Sequence, residues 1–146
     1  MTPRWYPLKP HEKQIALAQS QKRFACVVAG RRSGKTEIGK RSTVREALAA
    51  KTKGWWGVLA APTRDQAKKI FWADLKALVP RWAMTCKPLE AELTIRFING
   101  AEISVVGMDK PDRIEGKPLD WFWGDEYGNM KASAWQENIR PALATI

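Results

Sequence analysis

Apolar residues recur along this chain in three patterns. Phe24-Ala25-Cys26-Val27-Val28, Trp55-Trp56-Gly57-Val58-Leu59-Ala60 and Leu119-Asp120-Trp121-Phe122-Trp123 are short, nearly continuous runs. Such runs suit strands covered on both faces, as in a parallel sheet. Leu93, Ile95 and Phe97 alternate with polar residues instead. Asn99-Gly100 is a strong two-residue turn, and Ile103-Ser104-Val105-Val106 returns the chain, which predicts a β-hairpin near residues 91–107. The third pattern is helical. Ala67, Ile70, Phe71, Leu75, Leu78 and Val79 follow one helix face, Thr63-x-x-Gln66 is a capping-box start, and Pro80 stops the run. Val44, Ala47 and Leu48 mark a helix over 34–50, after which Gly54 ends the unit. Pro10 opens a short helix over about 10–20 carrying Ile15 and Leu17, and Ser133-x-x-Gln136 opens a last one that Pro141 ends. The first strand is expected at 24–29. Strands alternating with helices predict an α/β three-layer domain with its ligand at the strand C-termini.

Composition places this among globular domains. The 146 residues are 45% hydrophobic and 27% charged, enough for one domain with a core. No apolar run approaches 18 residues and the N-terminus is polar, so neither a membrane span nor a secretory signal is expected. Cys26 and Cys86 lack metal-type spacing and read as reduced thiols, Cys26 within an apolar strand. The net charge is +10 and uneven. Residues 1–50 carry 11 Lys/Arg against 3 Asp/Glu, whereas residues 101–146 carry 5 against 8. A basic N-terminal part points to a polyanion, nucleic acid first. Most of the eight Trp belong in a core; Trp5 or the Trp55-Trp56 pair is the candidate for exposure.

The chemistry concentrates after the first apolar run. Ala29-Gly30-Arg31-Arg32-Ser33-Gly34-Lys35-Thr36 lies between an expected strand and an expected helix, the layout of a nucleotide phosphate loop. Ala29 stands where the strict pattern has Gly. Inward N–H groups and a helix N-terminus bind phosphate oxygens, and Gly34 allows close backbone approach. Lys35 is placed to reach the β- and γ-phosphates, and the Thr36 hydroxyl to ligate Mg²⁺. About 90 residues later an apolar strand ends in Gly124-Asp125-Glu126. An Asp at the tip of a buried strand needs a partner, and beside a phosphate loop Asp125 is a candidate Mg²⁺ residue. Glu126 is the candidate base for the attacking water. Gln14 precedes the loop and has the donor and acceptor an adenine edge needs, or it is a solvent-facing helix residue. Arg31 or Arg32 is placed to stabilise charge on the γ-phosphate. His11, the only histidine, has no partner spacing. Spaced acids of a nuclease site and Ser/His or Cys/His arrangements are absent from the sequence.

Taken in order, these segments resemble the N-terminal ATPase half of the tailed-phage large terminase subunit, the DNA packaging motor. Pro10-His11-Glu12-Lys13-Gln14 is similar to the adenine-side motif, and Ala29 to Thr36 to the arginine-containing phosphate loop. Ala61-Pro62-Thr63-Arg64-Asp65-Gln66-Ala67, Asn99 to Ile103, and Asp109 to Gly116 resemble later family segments. Gly124-Asp125-Glu126 matches the Mg²⁺ and catalytic pair, and Asn138 to Leu143 the helix that follows. The resemblance implies a RecA-like P-loop NTPase fold of the additional-strand catalytic glutamate type, present in part over 1–146. It implies Glu126, Lys35, Arg31 and Arg32 as catalytic groups. Gln14, Ala29, Gly30, Arg31, Arg32, Ser33, Gly34, Lys35 and Thr36 would bind ATP, and Thr36 and Asp125 would hold Mg²⁺. It implies double-stranded DNA, a portal protein, a small terminase subunit and a homo-oligomeric ring as partners, without a membrane, in the bacterial host cytoplasm. In the family a coupling strand lies between the strand before the phosphate loop and the strand before Asp125, and a nuclease domain follows. The expectation is that this chain stops before both, as a fragment, a truncated prophage gene or half of a split protein. A helicase-like DNA-dependent ATPase, and a non-catalytic nucleotide- and DNA-binding remnant, are the competing readings.

Overall fold

A computed structural model describes residues 12–30 and 33–143. Its centre is a four-stranded sheet in the order β2-β3-β1-β4. The strands are β1 (Trp56–Ala61), β2 (Thr94–Arg96), β3 (Glu102–Gly107) and β4 (Trp121–Gly124). β1 pairs in parallel with β3 on one side, Leu59 opposite Val105, and with β4 on the other, Leu59 opposite Trp123. β2 runs antiparallel to β3, with Ile95 opposite Ile103, which makes the expected hairpin. Gly100 turns it at φ +89°, a conformation that only Gly adopts without cost.

Helices cover both faces, so the domain has three layers. Successive residues of a strand point to opposite faces, and β1 feeds two cores. Leu59 and Ala61 join Val44, Ala47, Phe71, Trp72, Leu75 and Ile103 beneath the helices α2 (Lys35–Ala49), α3 (Arg64–Ala67) and α4 (Ala73–Leu78). Val58 and Ala60 join Ile114, Leu119, Ala134, Ile139 and Leu143 on the far side, where α5 (Arg140–Leu143) lies. Thr63 caps the helix as the sequence implies, its Oγ1 accepting from Gln66 N–H at 3.2 Å, while the Gln66 side chain accepts from the Thr63 hydroxyl at 3.3 Å and not from its backbone N–H. Residues 64–78 form one helical path with a π-helical turn, Lys68–Trp72, in its middle. That turn brings Trp72, absent from the apolar periodicity, onto the core face.

Four expectations are corrected. Residues 24–29 are not a strand: they lie outside the sheet and are almost all exposed, Val28 at 96%. A strand needs a neighbour for its N–H and C=O groups, and the sheet places none beside this segment. It is held by side chains instead, with Arg23 Nη2 donating to Leu143 O at 2.7 Å and Phe24 edge-on to Trp135 at 5.1 Å. Cys26 is therefore exposed rather than inside a strand; both cysteines are free. The last helical path runs through Pro141 to Leu143, because a π-helical turn, Trp135–Ile139, has already shifted the bonding register ahead of the proline. Among the described tryptophans the exposed one is Trp82, at 72%, whereas Trp56 is buried with its indole N–H on Ser104 Oγ at 3.0 Å. The first helix, α1 (Glu12–Gln19), buries none of its residues. Trp5, Pro10 and His11 lie outside the described residues.

Candidate nucleotide site

The site forms where α2 begins, at the C-terminal edge of the parallel strands. Gly34 enters the helix at φ +77°, and its missing side chain leaves room for the Gln14 amide, which a Cβ there would strike. Gln14 Nε2 donates to Ser33 O at 3.2 Å, so this amide rests on the phosphate loop itself. Lys35 is the first residue of α2, and its Nζ donates back to Ala29 O at 3.2 Å. The ammonium thus spans the concave side of the loop, at the positive end of a 15-residue helix. Arg31 and Arg32 lie outside the described residues. Gly30 and Ser33 are joined by a backbone hydrogen bond, Ser33 N–H to Gly30 O at 3.4 Å.

β4 supplies the second half. Asp120 anchors the start of the strand by accepting from Trp56 N–H at 2.9 Å. The ladder carries on past Gly124, since Asp125 N–H donates to Ala60 O at 2.8 Å. Asp125 is consequently held rigidly and is buried. Its Oδ2 accepts from the Thr36 hydroxyl at 2.8 Å, and its Oδ1 accepts from Glu126 N–H at 3.0 Å. Thr36 and Asp125 are 89 residues apart in sequence and adjacent in space. Glu126 then turns sharply outward at φ 51°, ψ 40°, and its side chain is exposed. That left-handed conformation costs a non-glycine residue about 1–3 kcal/mol and tends to persist at functional positions. Tyr127 follows; burial first, then the nearby Cys26, pushes its phenol above the ordinary range.

The donor set suits a nucleotide-bound Mg²⁺. Mg²⁺ at phosphate sites takes one or two carboxylate or hydroxyl oxygens, with phosphates and water completing its octahedron. The Thr36 hydroxyl and the Asp125 carboxylate are two such oxygens, already in contact. Among the described residues no cluster of three or more His, Cys, Asp or Glu is placed to hold a metal ion.

Several residues that shape this site carried no motif. Lys40, buried on α2, pairs with Asp74 of α4 at 2.5 Å and ties the helix after the loop to its neighbour. Gly39, Thr43, Trp121 and Trp123 form the contact between α2 and β4. Their signal was the spacing 36, 39, 43 on one helix face, legible only once β4 is known to lie opposite.

A glycine-bearing loop into a helix, that helix's first threonine on a strand-tip aspartate, and helices on both faces of a mostly parallel sheet define a P-loop nucleotide-binding domain. A family model described as terminase large subunit, T4likevirus-type, N-terminal, matches residues 26–145. The chain belongs to that family, as its N-terminal ATPase domain. Among solved structures it is similar to the large terminase ATPase domain of Thermus phage P74-26, at 29% identity and a TM-score of 0.78 over 92% of this chain. An arginine-to-alanine mutant of the same domain matches at 29% identity and a TM-score of 0.76. The chain spans 60% of the length of each of these. No curated protein matches. No helix among the described residues is long and apolar enough to cross a membrane.

Proposed function

We propose that this domain binds and hydrolyses ATP with Mg²⁺, and that in the whole protein hydrolysis drives double-stranded DNA into a capsid. The observation that carries this reading is the Thr36–Asp125 contact at 2.8 Å, which joins the phosphate loop to the acidic strand tip. The N–H groups at the start of α2 and the Lys35 ammonium hold the β- and γ-phosphates. Thr36 and Asp125 hold Mg²⁺, which when bound neutralises charge on the phosphate oxygens. Glu126 lies one residue beyond Asp125 and turns into solvent, where its carboxylate orients a water and accepts its proton as the oxygen attacks the γ-phosphorus. ADP leaves with the electron pair of the broken P–O bond. One of Arg31 and Arg32 stabilises charge on the transferred group, and Gln14 senses the base from its seat on the loop. Catalysis of this type is mostly positioning and electrostatics, which a rigid strand tip and a helix start supply.

DNA, portal protein and small terminase subunit are the proposed partners, in a homo-oligomeric ring within the host cytoplasm. Family membership and the +10 charge support this. In this reading 1–146 is the ATPase part and does not include the nuclease domain. The decisive experiment is Glu126→Gln in the protein that carries this domain. Calorimetry should show ATP affinity within a few-fold of the parent, while hydrolysis falls by about 10²-fold or more. Loss of binding together with hydrolysis would make Glu126 a structural or metal residue and defeat its assignment as the base.

A further inference from the structure

Among the described residues β4 is held by the sheet on one side only, through β1. Something else must set its distance from α2, because that distance decides whether Thr36 meets Asp125. Three contacts lie in register along the two elements. Thr36, Gly39 and Thr43 are three and four residues apart, so they share one face of α2. Asp125, Trp123 and Trp121 are two apart, so they share one face of β4. Thr36 bonds Asp125 at 2.8 Å. Gly39 receives the Trp123 indole so closely that a Cβ would strike its Cε2 and Nε1, closer than real Cβ contacts come. Trp121 Nε1 donates to Thr43 Oγ1 at 2.8 Å, and the buried Thr43 hydroxyl donates to Gly39 O at 2.7 Å. Helix turns rise about 5.4 Å and strand pairs about 6.6 Å, similar enough for three successive matches.

We propose that Gly39, Thr43, Trp121 and Trp123 are positioning residues for the Mg²⁺ pair. They clamp α2 against β4 and set the separation at which Thr36 and Asp125 present both oxygens to one ion. The proposal rests on the nucleotide-site reading. Gly39 is what gives the clamp its depth: a helix-interior glycine is disfavoured relative to Ala, a cost offset here by ring contact. Trp121 gives it direction, since its N–H fixes the rotation of α2 through Thr43.

The test is calorimetric ATP titration, with Mg²⁺ and with EDTA. The ratio of the two affinities measures how well the ion is held, independently of turnover. In Gly39→Ala the methyl forces the helix and strand apart. The Mg²⁺-dependent gain should fall about 10–100-fold, as expected when a group supporting metal ligands is lost, while EDTA affinity stays within about twofold. Adding Trp123→Leu to Gly39→Ala makes room for the methyl and should restore most of the gain. Trp121→Phe adds no volume and removes the N–H together with part of the ring; it should lower the gain in the same direction, and it carries the test should Gly39→Ala not fold. An unchanged gain in folded Gly39→Ala, or in Trp121→Phe when that variant carries the test, overturns the proposal. So does a parallel fall in both affinities that Trp123→Leu does not rescue, which is what a general loss of packing produces. No ATP binding by the parent under either condition overturns the nucleotide-site reading itself, and the clamp with it.

Discussion

Lys35 and Glu126 show how single residues are prepared by their backbones. Lys35 sits at the first position of α2, and its ammonium folds back onto Ala29 O at 3.2 Å. A phosphate in the loop offers that ammonium a charged acceptor in place of a neutral one, and charge-assisted hydrogen bonds are roughly twice as strong. Lys35→Ala removes the counter-charge and leaves the fold intact, because the lysine packs no core. ATP affinity by calorimetry should drop at least about 100-fold, the size of one to two charge-assisted contacts. Unchanged affinity would remove Lys35 from the site. Glu126 is prepared differently. Its left-handed backbone turns the chain sharply right after Asp125, and in the proposed reading that separates metal holding from proton transfer.

At the scale of elements, the hairpin turn does more than reverse the chain. Asn99 Nδ2 donates to Ala47 O at 2.8 Å, within the last turn of α2, and to Ala50 O just beyond it at 3.3 Å, while its Oδ1 accepts from Ala101 N–H at 3.1 Å. The last carbonyls of a helix have no partner inside it, so a side chain from a distant turn satisfies them here. This ties the far end of α2 to the β2–β3 hairpin, just as the Trp121 and Trp123 contacts tie its near end to β4. Asn99→Ala should cost about 1–2 kcal/mol in urea unfolding, from one or two lost hydrogen bonds. Asn99→Asp should cost at least as much, since it keeps the turn acceptor but sets a negative charge at a helix C-terminus. A neutral result for both would mean that water serves those carbonyls equally well. The 64–78 path carries the companion lesson: its π-helical turn reorients the apolar face enough for Trp72 and Phe71 to reach the core together.

At the scale of the whole molecule, charge and sheet edges matter most. The net charge of +10, concentrated in the first hundred residues, favours a polyanion without any base-reading motif. Duplex binding should be weak, indifferent to sequence and strongly salt-dependent, each phosphate contact adding about 0.9 to the log–log slope. A flat salt response, read by fluorescence anisotropy between low and moderate salt, would exclude phosphate contacts as the source of binding. The sheet makes a second prediction. β4 is bonded to β1, and residues 24–29 lie outside the sheet and are almost all exposed. Amides of residues 26–28 should therefore exchange with solvent near the unprotected rate in the 146-residue chain, while those of Val58, Leu59 and Ala60 exchange slowly. Protection at 26–28 equal to that in β1 would show that this segment has joined the sheet.

What the sequence determined by itself were the features whose signals are local. The helix cap at Thr63, the Asn99-Gly100 turn, the alternation of Leu93, Ile95 and Phe97, and the start of α2 after Gly34 each need only a few neighbouring residues, and each stands where its pattern lies. The family resemblance was equally legible, because ordered motifs survive in one dimension. The tertiary structure alone decided which apolar runs pair. Phe24 to Val28 reads as a strand as clearly as Trp56 to Ala60 does, yet a strand exists only where another offers its N–H and C=O groups, and that depends on the rest of the chain. It also decided that Trp82 faces water, that a helix passes through Pro141, and that Gln14 rests on Ser33. The meeting of Thr36 with Asp125 belongs to the same class. The residues were visible as candidates, but their 2.8 Å contact arises from two tryptophans packing a strand against a helix, and packing is a property of neighbours in space.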